Sequence, residues 1–406
     1  MNADDKQILG ILGSIEQIEN MIRKQNTVNM ELINDIHDAI LEINQAVFNT
    51  EKINNNEALK YIDLLGADDK NLELFIIEVD KWRNLITQTV KRRFELPNKI
   101  DREFYIIMDY VTVTDYTDMV ANCITNLRNI RTINEDYYQQ LKQFYGITKD
   151  FWGNLNVELN DFDVFEQRCR ALKDHQEDFI WLYERLEDYR SKMVLSGILR
   201  NWLYFDLSIL FQIKENNFAD YFDLDLVTCN ENEVFVDIGA YNGDSAKSFI
   251  ETYGQYKKIY CYEITEESVL KCHETLSAYD NIEIRNKGVG SENKTMYFHK
   301  FGLSGSSNMV KEQGEIPVDI VSIDNDITEK VTFIKMDIEG AEQEALKGCK
   351  KHIMNEHPKL TICTYHNNED IWKIPRMIEE MDSNYHFYMR YNGSQLGPTE
   401  YVLFAL

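Results

Sequence analysis

"VFVDIGAYNGDS", residues 234–245, is the stretch that decides the fold. It joins an apolar run to one acid, Asp237, and to two glycines, Gly239 and Gly243, that lie four residues apart. The run predicts a buried strand, Gly239 permits a tight turn, and the residues after Gly243 predict a helix with Ser245 as a possible cap. An ordinary strand and glycine turn share this pattern, so neighbouring features have to identify the ligand.

The glycine spacing argues against a dinucleotide. A dinucleotide-binding loop reads G-x-G-x-x-G, and its second glycine lets the backbone reach a pyrophosphate. Here Tyr241 and Asn242 take that glycine's place, and two carboxylates, Asp237 and Asp244, flank the loop. Carboxylates repel a pyrophosphate but suit a ligand with an ammonium group and a sulfonium. S-adenosylmethionine carries both, so it is the cofactor that the loop indicates.

From residue 216 onward, short β-rich runs alternate with helical ones, which predicts βαβ units and a mostly parallel sheet. The last two β-rich runs, residues 385–391 and 399–406, have no helix between them. They predict an antiparallel hairpin at the edge of the sheet.

Polar residues follow the predicted strands at their carboxyl ends. Glu263 ends the second strand about twenty residues after Gly243, where an acid accepts hydrogen bonds from ribose hydroxyls. Asn286 ends the third strand and is a candidate adenine neighbour. The candidate cofactor-binding residues are Asp237, Gly239, Ala240, Tyr241, Gly243, Asp244, Ser245, Glu263, Ile264, Asn286 and Asp337.

Three further residues are candidates for catalysis. Asp337 ends the strand in "FIKMDIEGAEQEALKG", beside the expected reversal of strand order, and can orient substrate or take a proton. Glu339 opens the next helix, although acids are favoured in any first helical turn. His366 follows the fifth strand and is a candidate general base, although a lone histidine is more often structural. Asp337 and Glu339 are close enough in sequence to leave a metal open, but no ligand spacing demands one, so no metal site is predicted.

Residues from about 221 to 406 resemble the FkbM family of S-adenosylmethionine-dependent methyltransferases. The resemblance rests on "VFVDIGAYNGDS", "YCYEIT", "FIKMDIEGAEQEALKG" and "TYHNNEDIWKIP", of which "DIEGAE" is the most specific. It implies a Rossmann-like class I methyltransferase domain over residues 216–406, with a mostly parallel seven-stranded sheet. Family members are generally O-methyltransferases that act on natural products or sugars.

The resemblance also implies roles for individual residues. Asp237, Gly239 and Glu263 would lie in the cofactor pocket, and Asp337, Glu339 and His366 near the acceptor. "GLSGSSNM" is similar to a serine-containing linker of the family, so the resemblance places Ser306 and Ser307 at the substrate.

The first half of the chain has a different pattern. Isoleucines step by three and four within residues 1–55, which predicts a coiled-coil helix that assembles a homo-oligomer. Two helices joined near Asn26, or a helix packed on its own domain, fit the same spacing. Residues 56–215 predict a helical domain with no counterpart in the minimal family domain.

Composition excludes several classes of protein. The 406 residues carry 69 acids and 43 bases, a formal net charge of −26, so nucleic acid is a poor partner. The seven cysteines are scattered and indicate free thiols. Without a predicted signal peptide or membrane span, we expect a cytoplasmic protein.

The sequence therefore favours an S-adenosylmethionine-dependent O-methyltransferase that acts on a sugar or glycan precursor. Two alternatives stay open: methylation of a small secondary metabolite, and a non-catalytic coiled-coil scaffold with a methyltransferase-like domain.

Overall fold

The computed structural model describes residues 96, 98–298, 310–311 and 316–406. The predicted coiled coil at residues 1–55 lies outside them, as does the predicted helical domain before residue 96. The chain divides into two compact units, Met1–Asn122 and Cys123–Leu406.

Eight helices precede the first strand in the described part of the chain, and side-chain caps begin three of them. Asn98, Asn134 and Asp188 each accept a hydrogen bond from the backbone N–H three residues later. The helices are α1 (Lys99–Val113), α2 (Tyr116–Ile133), α3 (Glu135–Ile147), α4 (Lys149–Trp152), α5 (Asp163–Asp174), α6 (Gln176–Arg185), α7 (Tyr189–Tyr204) and α8 (Ser208–Gln212).

Strands and helices then alternate as predicted. The strands are β1 (Val234–Ile238), β2 (Lys258–Tyr262), β3 (Ile282–Arg285), β4 (Gly288–Val289), β5 (Lys294–Phe298), β6 (Val310–Lys311), β7 (Ile316–Val321), β8 (Phe333–Met336), β9 (Lys359–Cys363), β10 (Phe387–Tyr391) and β11 (Tyr401–Ala405). The helices among them are α9 (Asp244–Tyr253), α10 (Glu266–Leu276), α11 (Ile323–Asp326), α12 (Glu342–Lys347), α13 (Lys350–Glu356) and α14 (Asp370–Met381).

The main sheet has seven strands in the order β10-β11-β9-β8-β1-β2-β3. All neighbours are parallel except β11, which pairs antiparallel with both β10 and β9. The strand order reverses between β1 and β8, which places a crevice at their carboxyl ends. The predicted α/β fold with a mostly parallel seven-stranded sheet is confirmed.

A second sheet, in the order β4-β7-β5-β6, lies between β3 and β8 in the chain. The sequence analysis placed only a linker near this part. Two of its strands have just two residues each, which is too short for a recognisable alternation of apolar and polar side chains.

Helix α7 packs against β10 in the edge strands of the main sheet. The guanidinium of Arg390 in β10 is buried, donating to Asp188 over 2.9 Å and to Asp223 over 2.6 Å. The backbone N–H of Met389 donates to Ser191 Oγ over 2.8 Å. The helices after residue 122 therefore belong to the same unit as the sheet, which differs from the predicted domain boundary at residue 216.

Aromatic side chains form the core beneath β1. The rings of Phe235 and Phe249 stack with centroids 4.4 Å apart, and Phe333 and Phe222 pack against them. All four are at most 1% exposed. Burying such side chains stabilises the fold by roughly 1.5–3 kcal/mol each.

None of the helices in the described ranges is long and apolar enough to cross a bilayer. All seven cysteines fall within those ranges and are free thiols, as predicted.

Gly239, directly after β1, has a φ of +82° and packs tightly against the end of β8. A Cβ atom at this position would lie 1.9 Å from the carbonyl oxygen of Asp337. The backbone of Asp337 therefore fills the space that a side chain at this turn would need. Gly254 has a φ of +73° and no atom within 4 Å of the same position.

Alanine substitutions at these two glycines distinguish the cost of backbone strain from the cost of a steric clash. Gly254→Ala should lower the free energy of unfolding by roughly 1–2 kcal/mol, the cost of a left-handed conformation. Gly239→Ala should lower it by roughly 1–3 kcal/mol more, because β8 must also move. Urea denaturation followed by circular dichroism measures both, and equal losses would contradict the packing described for Gly239.

Candidate active site

Backbone hydrogen bonds fix the loop between β1 and α9. The N–H groups of Gly239 and Ala240 both donate to the carbonyl of Tyr262 over 3.0 Å. Tyr241 donates its backbone N–H to Glu263 Oε2 over 3.1 Å. The loop therefore lies across the ends of β1 and β2, at the sheet edge where ligands bind in open α/β folds.

A cavity of about 800 Å³, the first cavity, lies at this edge. Most of the predicted site residues line it: Gly239, Tyr241, Asp244, Ser245, Glu263, Ile264, Asp337 and Glu339. Four predicted cofactor residues are not among its lining residues: Asp237, Ala240, Gly243 and Asn286. Ser306 and Ser307 fall outside the described residues.

Asp237 lies beneath the loop and is fully buried. Its Oδ1 is 3.0 Å from Lys335 Nζ, and its Oδ2 accepts a hydrogen bond from Ser245 Oγ. The prediction of Ser245 as a helix cap is wrong, because α9 starts at Asp244 with Gly243 in the cap position. Asp237 and Ser245 instead hold the loop from below.

Lys335, in the middle of β8, is 2% exposed. Burial disfavours its charged form, but the carboxylates of Asp237 and Asp337 outweigh burial and raise the pKa of Lys335. Nζ also donates to the carbonyl of Gly239 over 2.8 Å. Lys335 was not among the predicted site residues, although a lysine inside the apolar run "FIKM" was an available signal.

Glu263 lines the first cavity directly after β2. Its carboxylate accepts hydrogen bonds from the backbone of Tyr241 and from the backbone and hydroxyl of Thr265. Burial outweighs these bonds and raises the pKa of Glu263. Asn286 donates to the carbonyls of Glu263 and Ile264, each over 3.0 Å. Asn286 thus braces the segment that carries Glu263.

Carboxyl groups outnumber cations around the first cavity. The acids that line it are Asp220, Asp244, Glu263, Asp337, Glu339, Glu344 and Glu400, and the lysines are Lys287, Lys294 and Lys335. Such a lining favours a positively charged ligand. A ligand with an ammonium group and a sulfonium fits this set of groups, whereas a pyrophosphate does not.

Four residues form one cluster at the ends of β8 and β9. Three of them follow β8 and the fourth, His366, follows β9. His366 Nε2 is 3.5 Å from both Asp337 Oδ1 and Glu339 Oε2, and its Nδ1 is 2.9 Å from Glu342 Oε1. The predicted catalytic residues Asp337, Glu339 and His366 are thus brought together. His366 and Glu342 are at most 2% exposed.

The charges in this cluster shift each other's ionisation. Burial disfavours an imidazolium, but the carboxylates of Glu342, Asp337 and Glu339 outweigh burial and raise the pKa of His366 to about 10. His366 is therefore protonated at neutral pH, and its predicted role as general base would require it to lose that proton first. Burial, reinforced by Asp337 and Glu342, raises the pKa of Glu339 to about 8.

Asp337 stays ionised. Burial opposes its charge, but Lys335, His366 and a hydrogen bond of 2.8 Å from the hydroxyl of Tyr221 outweigh burial and lower the pKa of Asp337. Tyr221 also lines the first cavity. No motif in the sequence singled it out.

Three non-glycine residues of the first cavity have left-handed backbone conformations: Tyr241 at φ 45°, Glu339 at φ 58° and Glu400 at φ 49°. Each conformation costs on the order of 1 kcal/mol, and such strain concentrates where a side chain has to be aimed at a ligand.

A second cavity of about 460 Å³ lies beside the first. Its aromatic wall comes from α3 and α4, through Phe144, Phe151 and Trp152, and His366 also lines it. The two cavities share Glu339, Tyr365 and Glu400. Burial raises the pKa of Glu400 to about 7, with Asp337 adding to the effect.

Known proteins resemble this chain. Residues 237–395 match the family model of the "Methyltransferase FkbM domain". A solved FkbM methyltransferase from Methylobacillus flagellatus KT is similar with a TM-score of 0.51 and 24% identity, over 59% of this chain and 62% of that protein. This chain thus covers less than two thirds of that relative's length, and a likeness at this identity shows the fold. No curated protein matches the chain.

Two other solved structures are less similar. An rRNA methylase from Streptococcus thermophilus has a TM-score of 0.30 and 14% identity, over 43% of this chain and 87% of that one. A methyltransferase from Streptococcus mutans, solved in complex with SAH, has a TM-score of 0.29 and 15% identity, over 43% of this chain and 89% of that one.

The buried Lys335–Asp237 pair yields a prediction about stability. Lys335→Met should lower the free energy of unfolding by roughly 3–5 kcal/mol, because it leaves the Asp237 carboxylate buried without a cation. Adding Asp237→Asn should restore part of that loss. Urea denaturation measures the three variants.

The control is Lys247→Met, which removes an exposed lysine 3.7 Å from Glu251. Exposed pairs contribute little, so its stability should stay close to that of the wild type. If Lys335→Met were as stable as this control, Lys335 would have no part in holding the loop.

Proposed function

We propose that this chain, whose residues 237–395 form an FkbM-type methyltransferase domain, transfers a methyl group from S-adenosylmethionine to a hydroxyl group of a sugar or glycan precursor. The family match supports methyl transfer. The observation that carries the rest is the pair of adjoining cavities, one lined by acids and one walled by aromatic rings, which share Glu339, Tyr365 and Glu400.

The first cavity is the proposed cofactor site. Glu263 follows β2 and accepts hydrogen bonds, so it would bind the ribose hydroxyls. The acids around Asp337 would face the ammonium and sulfonium groups. When bound, S-adenosylmethionine supplies a methyl group on a positively charged sulfur, which keeps the electron pair of the broken carbon–sulfur bond when the acceptor oxygen bonds to the methyl carbon.

The second cavity is the proposed acceptor site. The rings of Phe144, Phe151 and Trp152 offer flat faces for the C–H surface of a sugar ring. Ser394 and Thr399, on the same lining, offer hydrogen-bonding groups for sugar hydroxyls. This mixture supports a sugar over a wholly apolar metabolite.

Glu400 lies where the two cavities meet, so its carboxylate is the group we assign to receive the hydroxyl proton. Tyr221 and Lys335 keep Asp337 ionised beside it. The residues thus align the acceptor and remove its proton, while the cofactor carries the activated methyl group.

The cofactor assignment predicts binding that can be measured without an acceptor. S-adenosylmethionine titrated into the protein should release heat, and Glu263→Gln should weaken the affinity roughly tenfold, since the loss of one charged hydrogen-bonding partner costs about 1.5 kcal/mol or more. Glu283→Gln is the matched control, because Glu283 lies in neighbouring β3 and pairs with Arg285 and Lys258 outside the cavity.

Absence of heat in the wild type, under conditions where the protein is folded, would contradict the enzyme proposal and favour the non-catalytic scaffold. If Glu263→Gln and Glu283→Gln bound S-adenosylmethionine with equal affinity, Glu263 would not be a cofactor-binding residue.

The acceptor assignment predicts that a change in the second cavity weakens sugar binding but not cofactor binding. With methyl-labelled cofactor and a panel of free sugars, nucleotide sugars and small phenols, label should pass to a sugar. Phe151→Ala should raise KM for that sugar about tenfold or more, because it removes an aromatic face, while cofactor affinity stays unchanged. Phe211→Ala is the control, since Phe211 is exposed outside both cavities. Labelling of phenols alone would overturn the sugar proposal.

A further inference from the structure

The cluster at the ends of β8 and β9 has the composition of a metal site. Asp337, Glu342 and His366 each offer one ligand atom, and these atoms lie within 4.8 Å of one another. Glu339 adds a carboxylate oxygen 3.5 Å from His366 Nε2. Two ligands at right angles, each about 2.1 Å from one ion, lie about 3 Å apart, so these separations are close to those around a bound cation.

Polar atoms in the cluster have unused bonding capacity. Nδ1 of His366 is paired with Glu342 Oε1, but Nε2 of His366 and Oε2 of Glu342 are buried and make no hydrogen bond. The histidine is 2% exposed, and Nε2 faces two carboxylates at equal distances. Buried polar groups are normally hydrogen-bonded, so two unsatisfied atoms in one cluster indicate a missing partner. A cation that accepts nitrogen and oxygen ligands would be such a partner.

The histidine is already oriented. Its Nδ1 is 2.9 Å from Glu342 Oε1, and that oxygen also accepts the backbone N–H of Ile338 over 2.9 Å. With Nδ1 held by Glu342, Nε2 is directed towards Asp337 and Glu339. A carboxylate that holds one ring nitrogen while the other faces a metal is the usual environment of a metal-binding histidine.

Regular structure sets these positions. Asp337 directly follows β8, Glu342 is the first residue of α12, and His366 lies three residues after β9. Between them, Glu339 takes the left-handed conformation that brings its carboxylate to the imidazole. No spacing in the sequence reveals the set, because β8 and β9 are neighbours only in the folded sheet.

We propose that Asp337, Glu339 and Nε2 of His366 bind a divalent cation that accepts oxygen and imidazole ligands, such as Mn²⁺, while Glu342 holds Nδ1 of the histidine. The carboxylates of Asp337 and Glu339 lie at the same distance of 3.5 Å from Nε2, so a cation among these three residues would have two oxygen ligands and one nitrogen ligand.

The position suggests what the cation does. Glu339 and His366 both line the aromatic second cavity, so the ion would coordinate an acceptor hydroxyl there and favour loss of its proton. This role rests on the proposed function, whereas binding of the cation does not.

The test is a titration of the full-length protein with MnCl₂ in the absence of S-adenosylmethionine, after dialysis against a chelator. Free Mn²⁺ has a six-line electron paramagnetic resonance signal, and that signal should be suppressed until about one equivalent per chain is bound. His366→Gln, Asp337→Asn and Glu342→Gln should each weaken binding roughly tenfold or more.

His352→Gln is the matched control. His352 is also buried, and its Nδ1 is 2.7 Å from Glu356, but it lies on α13 outside this cluster. This variant should bind Mn²⁺ like the wild type. Glu263→Gln should also bind Mn²⁺ like the wild type. The Mn²⁺ titration therefore does not depend on whether the cofactor assignment is correct.

The proposal is overturned if the wild-type protein does not bind Mn²⁺, or if Asp337→Asn and His366→Gln bind it as tightly as His352→Gln. Circular dichroism checks the fold of each variant. If either Asp337→Asn or His366→Gln does not fold, the Mn²⁺ affinity of the other variant tests the proposal.

Discussion

The ion pair between Lys335 and Asp237 is the interaction on which the rest of the site depends. The two residues face each other in register across β1 and β8, where the strand order of the sheet reverses. The same ammonium binds the carbonyl of Gly239, and the same carboxylate binds Ser245 at the start of α9. One buried charge pair thus joins two strands, a loop and a helix. Since burying charges is costly, it persists only with all its partners in place.

This arrangement fixes both sides of the first cavity. On one side lies the loop held by Lys335, in which the backbone N–H of Tyr241 donates a hydrogen bond to Glu263. On the other side, Asp337 directly follows β8, two residues after Lys335. The Lys335 ammonium keeps the Asp337 carboxylate ionised. Asp337 is therefore not an independent surface group, because Lys335 and His366 keep it ionised. Together with the other acids that line the cavity, it favours cationic ligands.

Helices α3 and α4, which precede the sheet in the chain, line the second cavity. Phe151 and Trp152 form a wall of the second cavity, and the indole N–H of Trp152 donates to the carbonyl of Tyr365 over 2.9 Å. From the sequence, residues 56–215 predicted a helical domain, and none of these aromatic residues was a candidate for the site. The contact between helix and strand end, which gives these rings a cavity to line, depends on residues more than two hundred positions apart.

The sequence by itself determined the alternation of strands and helices, the edge hairpin and eight of the residues that line the first cavity. Short apolar runs and a glycine turn are local, and parallel strands always bring their carboxyl ends to one edge. It also named Asp337, Glu339 and His366. Only the tertiary structure decided that Asp237 holds the loop from below, that Lys335, Tyr221 and Glu400 belong to the site, and that Glu342 orients the histidine. These roles depend on burial and on which strands become neighbours, and no local pattern contains either.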